Sequence, residues 1–555
     1  MMYRYRRFVL GSLVLLALVL RVWALDWVPP SLDADEVSIG YNAHSILRTG
    51  RDEYGVPWPL SFRAYGEYKR PAYIYAAVPS IAVFGPTPLG VRFPAALAGA
   101  LSVAVLYAVA TLLLRSWRAG LCAALLLTLS PWHLQFTRAA REASLLVLAC
   151  LLLAAALLGA WHLRPLAGRR AGLLYVGAAL AFLLAVYSYP GGLLLAPLLV
   201  AALVRAYWGR LRRSSPPWVA TAVLIAGLGL IPLGVQFVDG RAQARLGQVS
   251  LFNEPGLRQL AESRVERDRR DGAPWLLNHP WMVGLRRAVD AYLGHFDPTY
   301  LFTRGDREWR HHSTDAGQLQ LWDIPLLGAG LFVALRHRRR PAMQALVAWL
   351  LVAPLPAALA ENAPHAVRSI GMLPAWYLIG AAGVRPLWGW LYRRGYERDW
   401  LLLLGLSFVF YFYMFTRYYP VEHGQSWNSG RLEAYRAAAA EVATGRFERV
   451  VIPQEIWGDY VYALYATRYD PRAYLAQGGS VVDPEGPFYP APGPLQFEPF
   501  EVRVVDWSVE PRRPEVLYVL HASTRKPAGL EVVSVIKGVT AQDAMQLLAY
   551  PRGSA

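Results

Sequence analysis

The chain has 555 residues, of which 55% are hydrophobic and only 17% charged, and its formal net charge is +17. Because soluble proteins carry about 25% charged residues, this composition excludes an ordinary set of soluble domains and indicates a polytopic membrane protein. Much of the positive charge lies in short arginine-rich loops, and no stacking motif or basic patch favours a nucleic acid as partner. Cys122 and Cys150 both fall in apolar segments, so neither a disulfide framework nor a cysteine metal site is expected.

The first apolar run, residues 8–25, follows three arginines and is close to the length that crosses a bilayer. A cleaved signal peptide is the competing interpretation, but similar spans follow, so an uncleaved anchor is favoured. Ten further runs bring the predicted total to about eleven spans. They lie near 89–114, 119–130, 142–161, 171–187, 191–206, 218–238, 322–336, 342–359, 366–383 and 400–417.

Arginine clusters occupy every second loop, as the positive-inside rule requires of cytoplasmic loops. The N-terminus is therefore expected in the cytoplasm, and residues 26–88 and 239–321 on the outer face of the cytoplasmic membrane. The composition changes after residue 420, where helical and strand patterns alternate. We predict an α-helical polytopic transmembrane domain, 1–419, followed by an extracytoplasmic mixed α/β domain, 420–555.

The first outer loop is predicted to hold a helix from Val37 to Leu47 and a second helix after Pro71. Before the first of these, Asp33, Asp35 and Glu36 place three carboxylates within four residues. The Asp33 and Glu36 spacing is that of a capping box, which gives those two a structural explanation. Asp35 is left over, either as a general base or as a merely solvated carboxylate.

Lys69 is the only lysine before Lys526 and lies in the segment Glu67-Tyr68-Lys69-Arg70-Pro71. A compact ammonium suits a phosphate in a way that the planar arginine fork does not. The alternative is a side chain that snorkels at the membrane edge, a role that arginine fills equally well.

Two further charged groups stand near predicted spans. Arg138 and Glu142 are four residues apart, the spacing of an ion pair on one helix face. His365 and Arg368 lie about one helical turn apart and either bind a substrate oxygen or cap a helix.

The later outer segments also carry patterns. The run 262–271 reads as a solvated helix, and 275–302 mixes tryptophans and arginines like a helix in the membrane interface. In the C-terminal domain, helices are predicted at 431–444 and 460–467, and strands at 450–453, 502–507, 516–520 and 532–536, with a loop at 477–500.

Six blocks of sequence form a recognisable pattern: Asp35-Glu-Val-Ser-Ile-Gly-Tyr41, Thr49-Gly-Arg-Asp-Glu-Tyr-Gly55, Tyr65-Gly-Glu-Tyr-Lys-Arg-Pro71, Arg92-Phe-Pro94, Ser130-Pro-Trp-His-Leu-Gln-Phe-Thr-Arg138 and Pro364-His-Ala-Val-Arg-Ser369. Through these blocks, residues 1 to about 420 resemble the GT-C class of bacterial membrane glycosyltransferases, related to protein O-mannosyltransferases and to the aminoarabinose transferase of lipid A.

The resemblance implies a glycosyltransferase that moves a hexose or pentose from a polyprenyl-phosphate donor to a lipid, glycan or protein acceptor on the outer face. It implies Asp35 as base with Glu36 beside it, Asp33 as cap and Glu142 as an assisting acid. Glu67, Tyr68, Lys69, Arg70, Arg138, His365 and Arg368 would contact the substrate.

Some GT-C enzymes use a divalent ion, yet His295, Asp297, His311 and His312 show no convincing ligand spacing, so no metal or other cofactor is expected. A transporter or flippase of lipid-linked sugars is the main alternative. Transporters more often carry charges at mid-membrane, whereas here the carboxylates gather on one face. A non-catalytic scaffold would leave the shared loop of Lys69 and the acids unexplained.

Overall fold

The computed structural model describes residues 2–64, 67–162, 168–238, 251, 255–453, 458–480 and 495–552. The chain forms two compact units that are interleaved along the sequence, whereas the predicted domains are consecutive. The helical unit comprises Met1–Trp23, Ala95–Thr137 and Arg141–Tyr413. The mixed unit comprises Ala24–Pro94, Arg138–Ala140 and Met414–Ala555.

A helix coincides with each predicted span. These helices are Met2–Val22, Pro88–Leu114, Trp117–Thr128, Ala143–His162, Arg169–Ser188, Gly192–Ala206, Pro216–Val238, Ile324–Arg336, Pro341–Val352, Leu373–Arg394 and Glu397–Tyr413. In the described part of the chain, seven helical segments are long and apolar enough to cross a membrane by themselves. An eighth results if Trp117–Thr128 and Pro131–Thr137, bent by 58°, form one span.

The remaining predicted spans are short or charged. Gly192–Ala206 has 15 residues and Ile324–Arg336 has 13, against the roughly 20 that a perpendicular span needs. Met2–Val22 contains Arg4, Arg6, Arg7 and Arg21.

The helix Pro216–Val238 presents an apolar surface that suits lipid. Only 6% of its most apolar stretch is buried, and Val223, Leu224 and Ile231 are each more than half exposed. A surface of this kind is unfavourable in water and favourable in hydrocarbon. The chain is a multi-pass membrane protein.

Close helix packing in the helical unit depends on glycine. The helices Ile324–Arg336 and Leu373–Arg394 cross so tightly that a Cβ at Gly383 would lie 2.4 Å from the main-chain nitrogen of Gly330. Small residues of this kind let helix backbones approach each other in membranes.

The predicted solvated helix and interface helix are both present, as Pro255–Arg270 and Pro280–Gly294. The second carries Trp281, Leu285, Val289 and Leu293, all exposed and spaced by four residues. Such a stripe is typical of a helix that lies in the membrane interface.

The mixed unit contains a six-stranded sheet, whose strands are β3 Arg449–Pro453, β4 Leu495–Phe497, β5 Phe500–Arg503, β6 Val516–His521, β7 Glu531–Lys537 and β8 Asp543–Ala549. Their order in the sheet is β4-β5-β3-β6-β8-β7. Strands β5, β3 and β6 run parallel, and the other neighbours pair antiparallel. The apolar centre of the sheet includes Val451, Tyr518 and Leu548.

Most predicted elements of this region are confirmed, including the helices Arg431–Ala443 and Asp459–Ala466. The strands β4 and β8 and the helix Pro471–Ala476 were not predicted. Of the predicted loop 477–500, residues 481–494 lie outside the described residues, and the end of that range forms β4 and the start of β5 rather than loop.

The first loop folds together with the C-terminal segment in the mixed unit. It contains the helix Ala34–Thr49, a hairpin of β1 Phe62–Ala64 and β2 Glu67–Lys69, and the helix Pro71–Phe84. The first helix ends at Gly50, whose φ of 70° is the left-handed conformation that favours glycine. A Cβ at Gly40 would lie 2.5 Å from the Tyr465 ring, so the helix packs directly on the C-terminal segment.

Candidate active site

Two of the three acidic residues at the start of the helix Ala34–Thr49 form a complete capping box. The Asp33 carboxylate accepts a hydrogen bond from the Glu36 main-chain nitrogen at 3.0 Å, and Glu36 Oε2 accepts one from the Asp33 nitrogen at 3.3 Å. Both side chains are buried. The capping box that the spacing of Asp33 and Glu36 predicted is therefore present in the structure.

The Glu36 carboxylate also binds Arg92, a residue to which the sequence assigned no role. Arg92 Nε donates to Glu36 Oε1 and Arg92 Nη2 to Glu36 Oε2, both at 2.8 Å, and the Ala140 nitrogen donates to Oε1 at 2.7 Å. Both side chains are 1% exposed or less. Geometry of this kind makes Glu36 a positioning residue for its neighbours rather than a proton carrier.

All five donor positions of the Arg92 guanidinium are used. Besides the two bonds to Glu36, it donates to the carbonyl oxygens of Leu25, Pro29 and Ser31. A fully satisfied buried arginine stabilises a single backbone arrangement. Arg92 therefore fixes the segment that leads into the acidic cluster. The signal in the sequence was a lone charge inside an apolar span.

Asp35 differs from the buried acids Asp33 and Glu36 because its carboxylate is 51% exposed. It forms an ion pair with Lys69, whose Nζ lies 3.0 Å from Asp35 Oδ1 and 3.1 Å from the Asp35 carbonyl oxygen. The Lys69 side chain is only 5% exposed, so its ammonium is held in place while the carboxylate remains accessible. The structure thus brings together the two residues singled out from sequence.

The hairpin explains how Lys69 reaches this position. Lys69 pairs with Phe62, Tyr68 with Arg63 and Glu67 with Ala64 in the two short strands. Arg70 then provides the N-cap position of the next helix, without a side-chain cap bond. The side chain of Glu67 lies outside what the structure describes.

Arg138 also belongs to the mixed unit. Its Nη2 donates to the carbonyl oxygens of Val28 at 2.9 Å and Ala24 at 3.3 Å. Residues 138–142 lie between the helices Pro131–Thr137 and Ala143–His162 rather than within a helix. Arg138 acts on the same segment as Arg92.

The other predicted residues, Glu142, His365 and Arg368, belong to the helical unit. His365 is the N-cap of the helix Ala366–Ser369, and its Nδ1 accepts from the Arg368 nitrogen at 3.5 Å. Arg368 Nη1 donates to the Glu361 carbonyl oxygen. The capping alternative for His365 is thus realised in the fold.

Beside His365 lies a polar cluster that the sequence did not reveal. Asp306 Oδ2 accepts hydrogen bonds from His311 Nδ1 and from the Ala366 nitrogen, both at 2.7 Å. The rings of His311 and His365 lie 4.9 Å apart. The segment with Asp306 and His311 and the segment with His365 are far apart in the sequence, so local spacing could not predict that they meet.

Burial sets the protonation of these groups. It lowers the pKa of His365 to about 2 and that of His295 to about 4, and it also lowers the pKa of His311. For Asp306, burial acts to raise the pKa, but the hydrogen bonds from His311 and Ala366 outweigh it and the net pKa is lowered.

A cavity of about 310 Å³ opens near the same loops of the helical unit. Its lining includes Arg287, Asp290, Arg307, Glu361 and Asn362. This volume is at the small end of ligand pockets, which range over about 300–1,000 Å³. The mixed charge suits a polar ligand.

The comparisons with known proteins agree with this architecture. Residues 69–232 match the family model described as dolichyl-phosphate-mannose-protein mannosyltransferase. No curated protein sequence matches the chain.

Two solved structures share the fold. ArnT from Cupriavidus metallidurans bound to undecaprenyl phosphate has 16% identity and a TM-score of 0.57, and the match covers 98% of this chain and 99% of that chain. The Archaeoglobus fulgidus oligosaccharyltransferase tethered with an acceptor peptide has 16% identity and a TM-score of 0.51, and covers 83% of this chain. The match spans only 63% of that archaeal protein. The family model and the shared fold together confirm the resemblance to membrane glycosyltransferases of the GT-C class.

Proposed function

We propose that this protein transfers a sugar from a polyprenyl-phosphate donor to an acceptor at the outer face of the cytoplasmic membrane. The observation that carries the proposal is the Asp35–Lys69 pair, an accessible carboxylate 3.0 Å from a buried, fixed ammonium. Inverting transfer needs a base for the acceptor hydroxyl and a cation for the departing phosphate. This pair supplies one of each.

Lys69 and Asp35 have linked roles in this proposal. Before the donor binds, the ammonium neutralises the Asp35 carboxylate. The donor phosphate carries one negative charge as a diester and gains a second as its bond to the sugar breaks. It competes with the carboxylate for Lys69 and leaves Asp35 able to accept a proton. Binding of the donor would then activate the base, so that the base is weak while the site is empty.

The neighbouring residues hold this pair in place. Glu36 and Asp33 fix the helix start through the capping box, and Arg92 joins Glu36 to the preceding segment. We assign Tyr68 and Arg70 to the donor because they flank Lys69 in the chain. The assignment of Glu142, His365 and Arg368 to the substrate stays a prediction from the sequence.

The match of residues 69–232 to a mannosyltransferase family model favours transfer over transport. By analogy with the undecaprenyl phosphate bound to ArnT, the carrier is proposed to be a polyprenyl phosphate. Whether a hexose or a pentose is transferred, and whether a lipid, a glycan or a protein accepts it, is left to experiment.

The direct test supplies purified protein in nanodiscs with radiolabelled polyprenyl-phosphate hexose or pentose and with fractionated envelope extracts. We expect label to move from the donor to one fraction, and the movement to require Asp35. Label that remains on both donors with every fraction would contradict the proposal.

The proposed orientation has its own test. With Cys122 and Cys150 replaced by serine, Gln425→Cys should react with an impermeant thiol reagent in intact cells, and Arg213→Cys should not. Both positions are exposed, so a difference reports the side of the membrane. Reaction at residue 213 only would show that the protein has the opposite orientation in the membrane.

A further inference from the structure

The cluster of Asp306, His311 and His365 in the helical unit resembles a metal site more than a structural hydrogen-bond network. One imidazole nitrogen from each histidine and one oxygen of Asp306 lie within 4.8 Å of one another. Asp306 and His311 are buried, and His365 is partly buried. Two imidazoles with one carboxylate are a common ligand set for zinc and similar ions.

The other two histidines nearby are held differently. Both ring nitrogens of His312 lie within hydrogen-bond distance of main-chain carbonyl oxygens, those of Ser313 and Asp306. His295 Nδ1 contacts the Ala291 carbonyl oxygen, and its Nε2 accepts from the His365 nitrogen. Both nitrogens of each ring thus lie against main-chain atoms, and neither histidine belongs to the group of side chains whose ligand atoms lie within 4.8 Å of one another.

His311 and His365 are not held in this way. Within the described chain, the single hydrogen-bond partner of the His311 ring is the Asp306 carboxylate. The His365 ring has one long contact, 3.5 Å from the Arg368 nitrogen. The buried His311 ring and the partly buried His365 ring therefore have fewer main-chain contacts than the rings of His295 and His312.

We propose that Asp306, His311 and His365 bind one divalent metal ion of the zinc type. The ion takes the place of the proton that His311 Nδ1 now shares with Asp306 Oδ2, and His365 supplies the third ligand. With metal–ligand bonds of about 2.0–2.2 Å, tetrahedral ligand atoms lie roughly 3.3–3.6 Å apart. The widest separation in the cluster, up to 4.8 Å, must therefore shrink by up to about 1.5 Å, and the 2.7 Å separation of His311 Nδ1 and Asp306 Oδ2 must widen by less than about 1 Å.

Charges around the cluster indicate what completes the coordination. Arg141 acts electrostatically on His311, and Arg368 acts on His365. Three protein ligands leave one tetrahedral position open, and the two arginines favour an anion or hydroxide there. The ion would fasten the outer loop to the start of the helix Ala366–Ser369. This inference does not depend on the proposed glycosyl transfer.

The experiment uses the full chain without a histidine tag, in nanodiscs and stripped of metal with a chelator. Co²⁺ is titrated while its visible absorption is recorded, and Zn²⁺ is then added to displace it. We expect one site per chain, release of protons on binding, and the intense absorption typical of tetrahedral cobalt. Removing a direct ligand should cost more than the roughly 10–100-fold that second-shell changes cost in affinity.

The variants are His311→Gln, His365→Gln and Asp306→Asn, with His312→Gln as matched control. Asp306→Asn retains an acceptor for the Ala366 nitrogen, so it tests the charge in a chain that keeps this contact. The three ligand variants should lose the cobalt spectrum, and the control should keep it. Absence of stoichiometric binding in the wild type, or equal affinity in all four variants, would overturn the proposal.

Discussion

The first turn of the helix Ala34–Thr49 and the hairpin beside it contain two ion pairs of similar composition and opposite environment. Glu36 and Arg92 are both buried and share two hydrogen bonds. Asp35 and Lys69 share one short contact, and the carboxylate is half exposed. Two adjacent acids therefore divide into one that stabilises the backbone and one that remains open to a substrate. The comparison teaches that accessibility, more than residue type, decides which of two adjacent carboxylates is available for chemistry.

The largest expected effect is at the open pair. Asp35→Asn keeps the side-chain shape but cannot take a proton, so we expect transfer to fall by about 10²–10⁴-fold, the usual contribution of a general base. Thermal stability and donor binding should change little. Turnover with a radiolabelled lipid-linked sugar measures the loss, and activity within a few-fold of wild type would show that this carboxylate is not the base.

The buried pair should respond in stability. Arg92→Ala leaves the Glu36 carboxylate buried and unpaired, which costs about 3–5 kcal/mol. A matched control is Arg436→Ala, since Arg436 and Glu433 form an exposed pair in the same unit and such pairs contribute about 0–1 kcal/mol. Thermal unfolding in detergent compares the two variants. Equal melting temperatures would remove the structural role given to Arg92.

A third carboxylate of the mixed unit extends the comparison, because it is buried with neutral partners. Glu53 accepts hydrogen bonds from Asn42 at 3.0 Å and Ser480 at 3.2 Å. Burial raises its pKa from 4.5 to about 7. Between these values the folded chain holds a proton that the unfolded chain has released. Stability should therefore fall as pH rises through this window, by up to about 3 kcal/mol.

Glu53→Gln keeps an oxygen that accepts from Asn42 and carries no titratable proton. We expect its stability to fall less steeply than that of the wild type over about pH 5 to 7, because only the contribution of Glu53 is removed. Glu433→Gln, at an exposed acid, should follow the wild type. Parallel slopes for all three proteins would refute a raised pKa at Glu53.

Lys69 should show a smaller effect on catalysis. Lys69→Ala removes a charged hydrogen bond of about 1.5–3 kcal/mol, which corresponds to roughly 10–150-fold in the rate constant at low donor concentration. Lys69→Arg should restore only part of this, because the planar fork does not reproduce an ammonium. Full turnover by Lys69→Arg, with normal dependence on donor concentration, would favour the alternative that Lys69 only snorkels at the membrane edge.

The smallest effect is expected at Asp33. Asp33→Asn exchanges one good cap for another, so stability should change by only a few tenths of a kcal/mol and turnover by less than about twofold. A large loss of activity with unchanged melting temperature would mean that Asp33, and not Asp35, has the catalytic role.

Local patterns predicted much of this molecule from its sequence. Apolar length and arginine spacing predicted the helices of the membrane region, and the three-residue spacing of Asp33 and Glu36 predicted the capping box that the structure contains. The alternation of strands and helices predicted β3, β6 and β7. These features depend on neighbours in the chain, which a sequence displays directly.

Features that depend on distant residues were missed. Glu36 and Arg92 are 56 residues apart, and nothing local in either segment identifies the other as its partner. Asp306 meets Ala366 across 60 residues in the same way. The strands of the β1–β2 hairpin have three residues each, too short for alternation to be visible. Long-range pairing is set by the tertiary fold, which no periodicity encodes.

The interleaving of the mixed unit has a consequence for biosynthesis. Its first loop meets residues from the last quarter of the chain: Tyr462 donates to the Leu32 carbonyl oxygen, and Ser480 donates to Glu53. A ribosome releases these partners only after several hundred further residues have been made. The segment that holds Asp35 and Lys69 therefore lacks these contacts until the stretch around Ser480 has been made. Contacts of such high sequence separation form slowly, so the surroundings of Asp35 and Lys69 are completed late.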